Sequence, residues 1–201
     1  MKKISASFFL QENVVQLAQQ LIGKLLVTRF EEGTTIGRIV ETEAYNGIID
    51  KASHAYNNRR TNRTEVMFAT GGVAYVYLCY GIHHLFNVVT NQQNVPHAIL
   101  IRGIEPVTGL SIMQHRMNKK TADFSIGRGP GNVSRALGLH TRHSGTSLLQ
   151  NTLYLATDNF TIDPSLIQSG PRIGVAYAAE DALLPYRFYI KNNRYVSGKN
   201  T

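Results

Sequence analysis

Residues 36–45 (IGRIVETEAY) restrict the fold more than any other stretch of the chain. They are rich in β-branched and aromatic side chains and run into Asn46-Gly47, a turn signal, so they predict a strand. Alternation along a strand places Ile39, Glu41, Glu43 and Tyr45 on one face and Arg38, Val40, Thr42 and Ala44 on the other. Carboxylates two residues apart are separated by roughly 6.6 Å. On a wet face such a pair does nothing. In a dry site each raises the other's pKa.

A strand of this kind needs partners, and the chain supplies them. Lys24 to Phe30 alternates and turns through Glu31-Glu32-Gly33-Thr34 into the Glu43 strand. The run Gly71 to Gly81 (GGVAYVYLCYG) sets Tyr75, Tyr77 and Cys79 against Val76 and Leu78. Tyr80 then sits at a hairpin tip beside Gly81, with Ile82 to Thr90 returning and Ala98 to Ile104 following. Leu153 to Leu155, Arg172 to Val175 and Tyr186 to Ile190 are further expected strands.

Helical spacing of Val14, Leu17, Ala18 and Leu21 ends at Gly23. A second helix is expected from Pro106, with Leu110, Met113 and Met117 buried, and a third over Val133 to Leu137, closed by Gly138. Strands joined as hairpins and mixed with helices predict an α+β fold. The expected form is one domain over residues 1–201, a curved antiparallel sheet with surrounding helices and a protruding hairpin.

The formal net charge of +8 favours a polyanionic partner. A single cysteine, Cys79, excludes an internal disulfide framework and multi-thiolate metal sites. His83 and His84 are adjacent and point to opposite strand faces, and no metal-ligand spacing occurs, so no metal is expected. No GxSxG elbow supports a serine nucleophile. No secretion signal or membrane span is visible, and no membrane partner is expected.

Asn46 to Arg63 is a long polar loop that carries His54, Arg59, Arg60 and Arg63, and loops of that length are usually functional or disordered. Tyrosines interleaved with arginines are suited to holding unpaired bases. The cluster Gly127-Arg128-Gly129-Pro130-Gly131-Asn132 lacks the lysine of a P-loop. It reads equally as a phosphate seat at a helix start or as a structural turn.

GRIVETEAY, His54, GGVAYVYLCYG, Asn87 and Leu100 to Pro106 (LIRGIEP) together resemble the alkyladenine (3-methyladenine) DNA glycosylase family. The resemblance continues through Gly129-Pro130, Ala136-Leu137, Arg172 to Val175 and Pro185 to Tyr189, nearly the whole chain in order. His83-His84 and the short segment between Val175 and Pro185 depart from the family pattern.

The resemblance implies an enzyme that flips alkylated or deaminated purines (3-methyladenine, 7-methylguanine, hypoxanthine) out of duplex DNA. It would hydrolyse the N-glycosidic bond and leave an abasic site. By that resemblance Glu43 is the general base and Arg102, with the backbone carbonyl of Ile173, orients it and its water. Tyr45, His54 and Tyr77 hold the base, Asn87 senses the purine C2 substituent, and Tyr80 fills the gap in the helix.

No cofactor is called for, and no lysine or amine nucleophile, so strand cleavage is not expected. The implied partner is double-stranded DNA carrying damaged purines, bound by a monomer. Its place is the cytoplasm, with the nucleoid, in a bacterium and the nucleus in a eukaryote. Two rival readings stand beside this one: a nucleic-acid-binding module without catalysis, and a glycoside hydrolase. The second fits poorly, since paired acids on one strand do not flank a bond.

Overall fold

The computed structural model describes residues 1–198, so the last three residues of the expected domain, 199–201, lie outside the described residues. Nine strands form one antiparallel sheet. They are β1 (Lys2–Lys3), β2 (Leu25–Phe30), β3 (Gly33–Tyr45), β4 (Val73–Cys79), β5 (His83–Thr90), β6 (His97–Thr108), β7 (Leu153–Thr157), β8 (Ile167–Gly170) and β9 (Arg187–Ile190). The order is β1-β7-β2-β3-β6-β5-β4, and β9 joins β3 to β8.

At 13 residues β3 is the longest strand and the spine of the sheet. On one edge its first half pairs with β2 and its second half, Glu41 to Glu43, with β9; its other edge pairs with β6. Strands that share an edge this way must diverge, which curls the sheet around the middle of β3.

Two irregularities in the β3–β6 ladder aim the site. Ile39 faces Ile104 and Glu41 faces Gly103, so Val40 is an extra residue in β3. Thr42 then faces Ile101, so Arg102 is an extra residue in β6. A bulge resets side-chain alternation. Ile39 therefore packs in the same buried cluster as Ala44, and Thr42 donates to the Ala18 carbonyl at 2.9 Å on that side. The expected face containing Ile39 with Glu41, Glu43 and Tyr45 is corrected accordingly: strict period-two reading cannot see the bulge. Gly103 permits the close approach here, because a Cβ would lie 2.9 Å from the Tyr195 carbonyl oxygen and 3.0 Å from the Glu41 Cβ.

Helices α1 (Ala6–Phe9), α2 (Val14–Gln20), α3 (Leu110–Met117) and α4 (Pro130–Leu137) cover the sheet. The Asn13 side chain caps α2 by accepting from Gln16 N–H at 3.0 Å, and Val14, Leu17 and Ala18 bury its apolar stripe. Gly23 takes the left-handed conformation after it, φ 84°. These side chains join Phe86, Ile99, Ile101, Ile104, Met113 and Leu137 in the principal core. Among the described residues no helix is long and apolar enough to cross a membrane.

Three expected boundaries differ. Pro106 does not open a helix: it pairs with Gly37 inside β6, next to a register shift where the proline's missing N–H is tolerated, and α3 starts at Leu110 after Gly109. Residues 172–175 form no strand; their polar groups serve buried side chains instead of a ladder. The neighbouring strand is Ile167–Gly170. Finally, α4 begins at Pro130 rather than Val133, with proline in the first turn.

Candidate active site

Glu41 and Glu43 are both fully buried at the middle of β3, between β6 and β9. Glu43 Oε2 accepts from the Tyr45 hydroxyl at 2.8 Å and from Arg102 Nη1 at 3.3 Å, and its Oε1 accepts from the Ile173 backbone N–H at 2.7 Å. Three donors leave one of the roughly four acceptor positions of an ionised carboxylate unused, on Oε1. Burial pushes the Glu43 pKa above the usual carboxylate value, against the opposing pull of Arg102, the Ile173 N–H and Tyr45. Glu41, by contrast, takes four donors, three of them on Oε1. It accepts from Arg187 Nε at 2.6 Å, Arg102 Nε at 3.3 Å, the Ser197 hydroxyl at 3.0 Å and the Ser197 N–H at 2.7 Å.

Over this floor opens a cavity of about 530 Å³, within the size of small-molecule pockets, and Tyr45, Arg102 and Ile173 line it as well as binding Glu43. Its walls include His54, Tyr77 and Tyr177, and a small recess of about 40 Å³ behind them reaches Tyr75 and Asn87. Tyr75 and Tyr77 alternate on β4 and stack with centroids 5.4 Å apart, while His54 meets the Tyr77 ring edge-on at 4.6 Å. The long 46–63 loop thus delivers its one histidine to the tyrosine row of the sheet.

The Tyr75 hydroxyl and His54 Nδ1 are 2.8 Å apart. Burial, then the charges of Arg63 and Arg59, lower the His54 pKa to about 4, so the imidazole is neutral at physiological pH. Burial likewise pushes the phenols of Tyr45, Tyr77 and Tyr75 up, Tyr75 to about 12, and all three stay protonated. The slot is thus walled by neutral aromatic faces. The cations on the lining are Arg63, Arg102 and Arg128, and among the described residues no aspartate or glutamate lines it.

Asn87 is buried on β5, where its amide nitrogen donates to the Tyr75 and Leu85 carbonyls at 3.2 and 3.3 Å. Both bonds fix the amide orientation and leave its oxygen without a hydrogen bond among the described residues. Tyr80 lies in the turn between β4 and β5 with φ 51°, is 89% exposed, and is followed by Gly81 at φ 73°. Exposed Leu78 and Ile82 flank it. Arg128 also borders the cavity, but its Nε is tied to the Arg194 carbonyl at 2.9 Å.

The structure brings Arg102, Tyr45, Tyr77, His54 and Ile173 around one space, with Glu43 buried behind Tyr45, Arg102 and Ile173, Asn87 in the recess and Tyr80 at the rim. One expectation is corrected: it is the Ile173 amide N–H, not its carbonyl, that meets Glu43. A peptide N–H can bond an ionised carboxylate, whereas a carbonyl would repel it.

Sequence reasoning missed several residues. Arg187 and Ser197 hold Glu41, and their distance along the chain hides the contact. Tyr177 comes from the segment between Val175 and Pro185, which departs from the family pattern, and its hydroxyl donates to the Ala52 carbonyl at 3.1 Å. Arg172 pairs with buried Asp50 through both terminal nitrogens, at 2.5 and 2.9 Å, and donates to the Ala44 and Asp181 carbonyls. It thereby ties β3, the His54 loop and the Tyr177 segment together. An aspartate five residues after the ETEAY strand end was the available signal, because Asp50 also accepts from the Asn46 and Ala52 N–H groups. Among the described residues no three His, Cys, Asp or Glu side chains gather to hold a metal.

Fold and site together set an aromatic cavity over a buried, polarised carboxylate. Comparison with known proteins identifies the class. Residues 7–194 match the family model described as methylpurine-DNA glycosylase (MPG). A protein of Chlamydia felis is 46% identical over 185 residues, covering 92% of this chain and 94% of the relative. One from Bacillus subtilis is 43% identical, covering 94% of each, and one from Desulfitobacterium hafniense is 40% identical, covering 99% of this chain and all of the relative. Each is named "Putative 3-methyladenine DNA glycosylase". The chain belongs to the methylpurine-DNA glycosylase family: it is a DNA glycosylase, a hydrolase of DNA repair.

Proposed function

We propose that this enzyme flips alkylated or deaminated purines, 3-methyladenine, 7-methylguanine and hypoxanthine, out of duplex DNA. It then hydrolyses the N-glycosidic bond with Glu43 as general base and leaves an abasic site. The observation that carries this reading is Glu43 itself, fully buried, bonded to Tyr45, Arg102 and the Ile173 N–H, beneath an aromatic cavity. A carboxyl whose pKa lies above the ordinary value is a stronger base than a solvated one, and its free acceptor position on Oε1 suits a water. Once ionised, the same carboxylate offsets positive charge on the sugar as the base departs.

A purine entering the slot stacks against Tyr45, Tyr77 and His54. Because His54 is neutral, it adds no repulsion toward a cationic methylated base, and tyrosine faces attract one. Tyr80 at the exposed turn fills the space the base vacates, as apolar wedges in the minor groove do. Asn87 lines the recess, where the bulk of its fixed amide excludes the exocyclic amino group that marks normal guanine by steric overlap. A monomer suffices, since every residue invoked comes from one chain. Glu41 is not a second flanking acid: it sits on the same strand, two residues from Glu43, and its carboxylate is held by Arg187, Arg102 and Ser197.

The test is incubation of the protein with duplex DNA carrying N-methylpurines and, separately, hypoxanthine. Release of free base, with strands that break only after alkali, is the expected result. Binding without base release would leave only the non-catalytic reading.

A further inference from the structure

Glu41 is the first acid of the ETEAY run, and nothing in the hydrolytic scheme uses it. It is nevertheless the most heavily bonded side chain at the floor. Its Oε1 takes three donors, from Arg187, Arg102 and the Ser197 hydroxyl, and its Oε2 takes the Ser197 N–H. Arg102 spans the two acids, Nε to Glu41 and Nη1 to Glu43, each at 3.3 Å, and its Nη2 donates to the Ser197 hydroxyl at 3.2 Å. Arg187 faces Glu43 in the β3–β9 ladder, but its guanidinium turns to Glu41 and to the Ser197 carbonyl at 2.6 Å. Two carboxylates and two guanidiniums, all at most 8% exposed, thus form one closed set.

We propose that Glu41 is a positioning residue: it holds Arg102 and Arg187 directly, with Ser197 bridging the same groups, and sets the charge under which Glu43 works. This rests on the reading of Glu43 as the base. Without the negative charge of Glu41, Arg102 is no longer shared and acts on Glu43 alone, the ionised form of Glu43 is favoured too strongly, and it becomes a weaker base. Without Arg187 the balance tips the other way. The charged and titratable groups around Glu43 are Glu41 and Tyr45 on its own strand, Arg102 on β6, Arg187 on β9, Arg172 in the segment between β8 and β9, and Tyr77 and Tyr177 on the pocket walls. Neutral tyrosines do not change charge over the working range, so the acid limb of activity reports the Glu41–Arg102–Arg187 set.

The experiment is the pH profile of single-turnover hypoxanthine excision for wild type, Glu41→Gln and Arg187→Gln. Thermal melts identify which variants are folded. Glu41→Gln is expected to move the acid limb to lower pH by about one pH unit and lower the plateau, and Arg187→Gln to move the limb up by a similar amount. Either folded variant decides alone. A merely structural Glu41 would reduce the rate by the same factor at every pH with the limb in place, and that result overturns the proposal. Glu43→Gln separates the two readings: if it retains the acid limb, the base assignment itself is wrong. If it abolishes excision while the Glu41 and Arg187 limbs stay fixed, only the positioning role falls.

Discussion

Replacing Tyr45 by phenylalanine keeps the ring that faces the cavity and removes one hydroxyl, the donor to Glu43 Oε2 at 2.8 Å. A hydrogen bond to a buried charged group contributes about 1.5–3 kcal/mol. The bond favours the ionised carboxylate, so its loss raises a pKa that burial has already raised. At 1.36 kcal/mol per pH unit the rise is about 1–2 pH units. A general base must be ionised, so the acid limb of excision moves to higher pH by that amount. Below the limb the variant is slower by roughly 10- to 100-fold; well above it the carboxylate is ionised in both, stacking is retained, and the variant is at least as fast as the wild type. Single-turnover excision of hypoxanthine between about pH 5 and 9 reads this directly. A uniform loss at every pH, with the limb unmoved, would show that the hydroxyl does not serve the working carboxylate and would refute the reasoning.

Three further outcomes follow from the geometry. Tyr80→Ala should weaken binding to lesion duplexes more than to undamaged DNA, since only the flipped complex has a gap to fill, and a fluorescent base analogue reports it; equal losses would make Tyr80 an ordinary surface residue. Asn87→Ser shortens the amide at the recess, so guanine excision should rise relative to hypoxanthine when products from matched duplexes are separated by chromatography; an unchanged ratio removes Asn87 from selection. Arg172→Met leaves Asp50 buried without its partner, which costs about 3–5 kcal/mol and roughly 6–20 °C in Tm by calorimetry; a change of only a degree or two would show the pair to be dispensable.

Much of the architecture is legible in local sequence. The β3 strand, the β4–β5 pairing with Tyr80 in its turn, and the Val14, Leu17, Ala18 stripe of α2 each follow from periodicity with Gly or Asn at the ends. What periodicity misses is bulging. Val40 and Arg102 are each one extra residue in a ladder, and those insertions send Ile39 to the core and bring Arg102 between the two acids. Residues 172–175 read as a strand because Ile173 and Val175 are β-branched, yet their partners are a buried carboxylate and an aspartate rather than a neighbouring strand. Of the site, the residues on β3 and β4 are visible through spacing. Arg187 and Ser197 lie 146 and 156 residues from Glu41, and no local pattern announces contacts of that range.

The reaction itself is tested most directly by Glu43→Gln, which preserves shape and removes the base. Single-turnover excision from a hypoxanthine duplex should fall by roughly 10²- to 10⁴-fold, while the variant still binds that duplex in a gel-shift titration. Near-normal excision by a folded Glu43→Gln protein would contradict the account, and the attacking water would need another base.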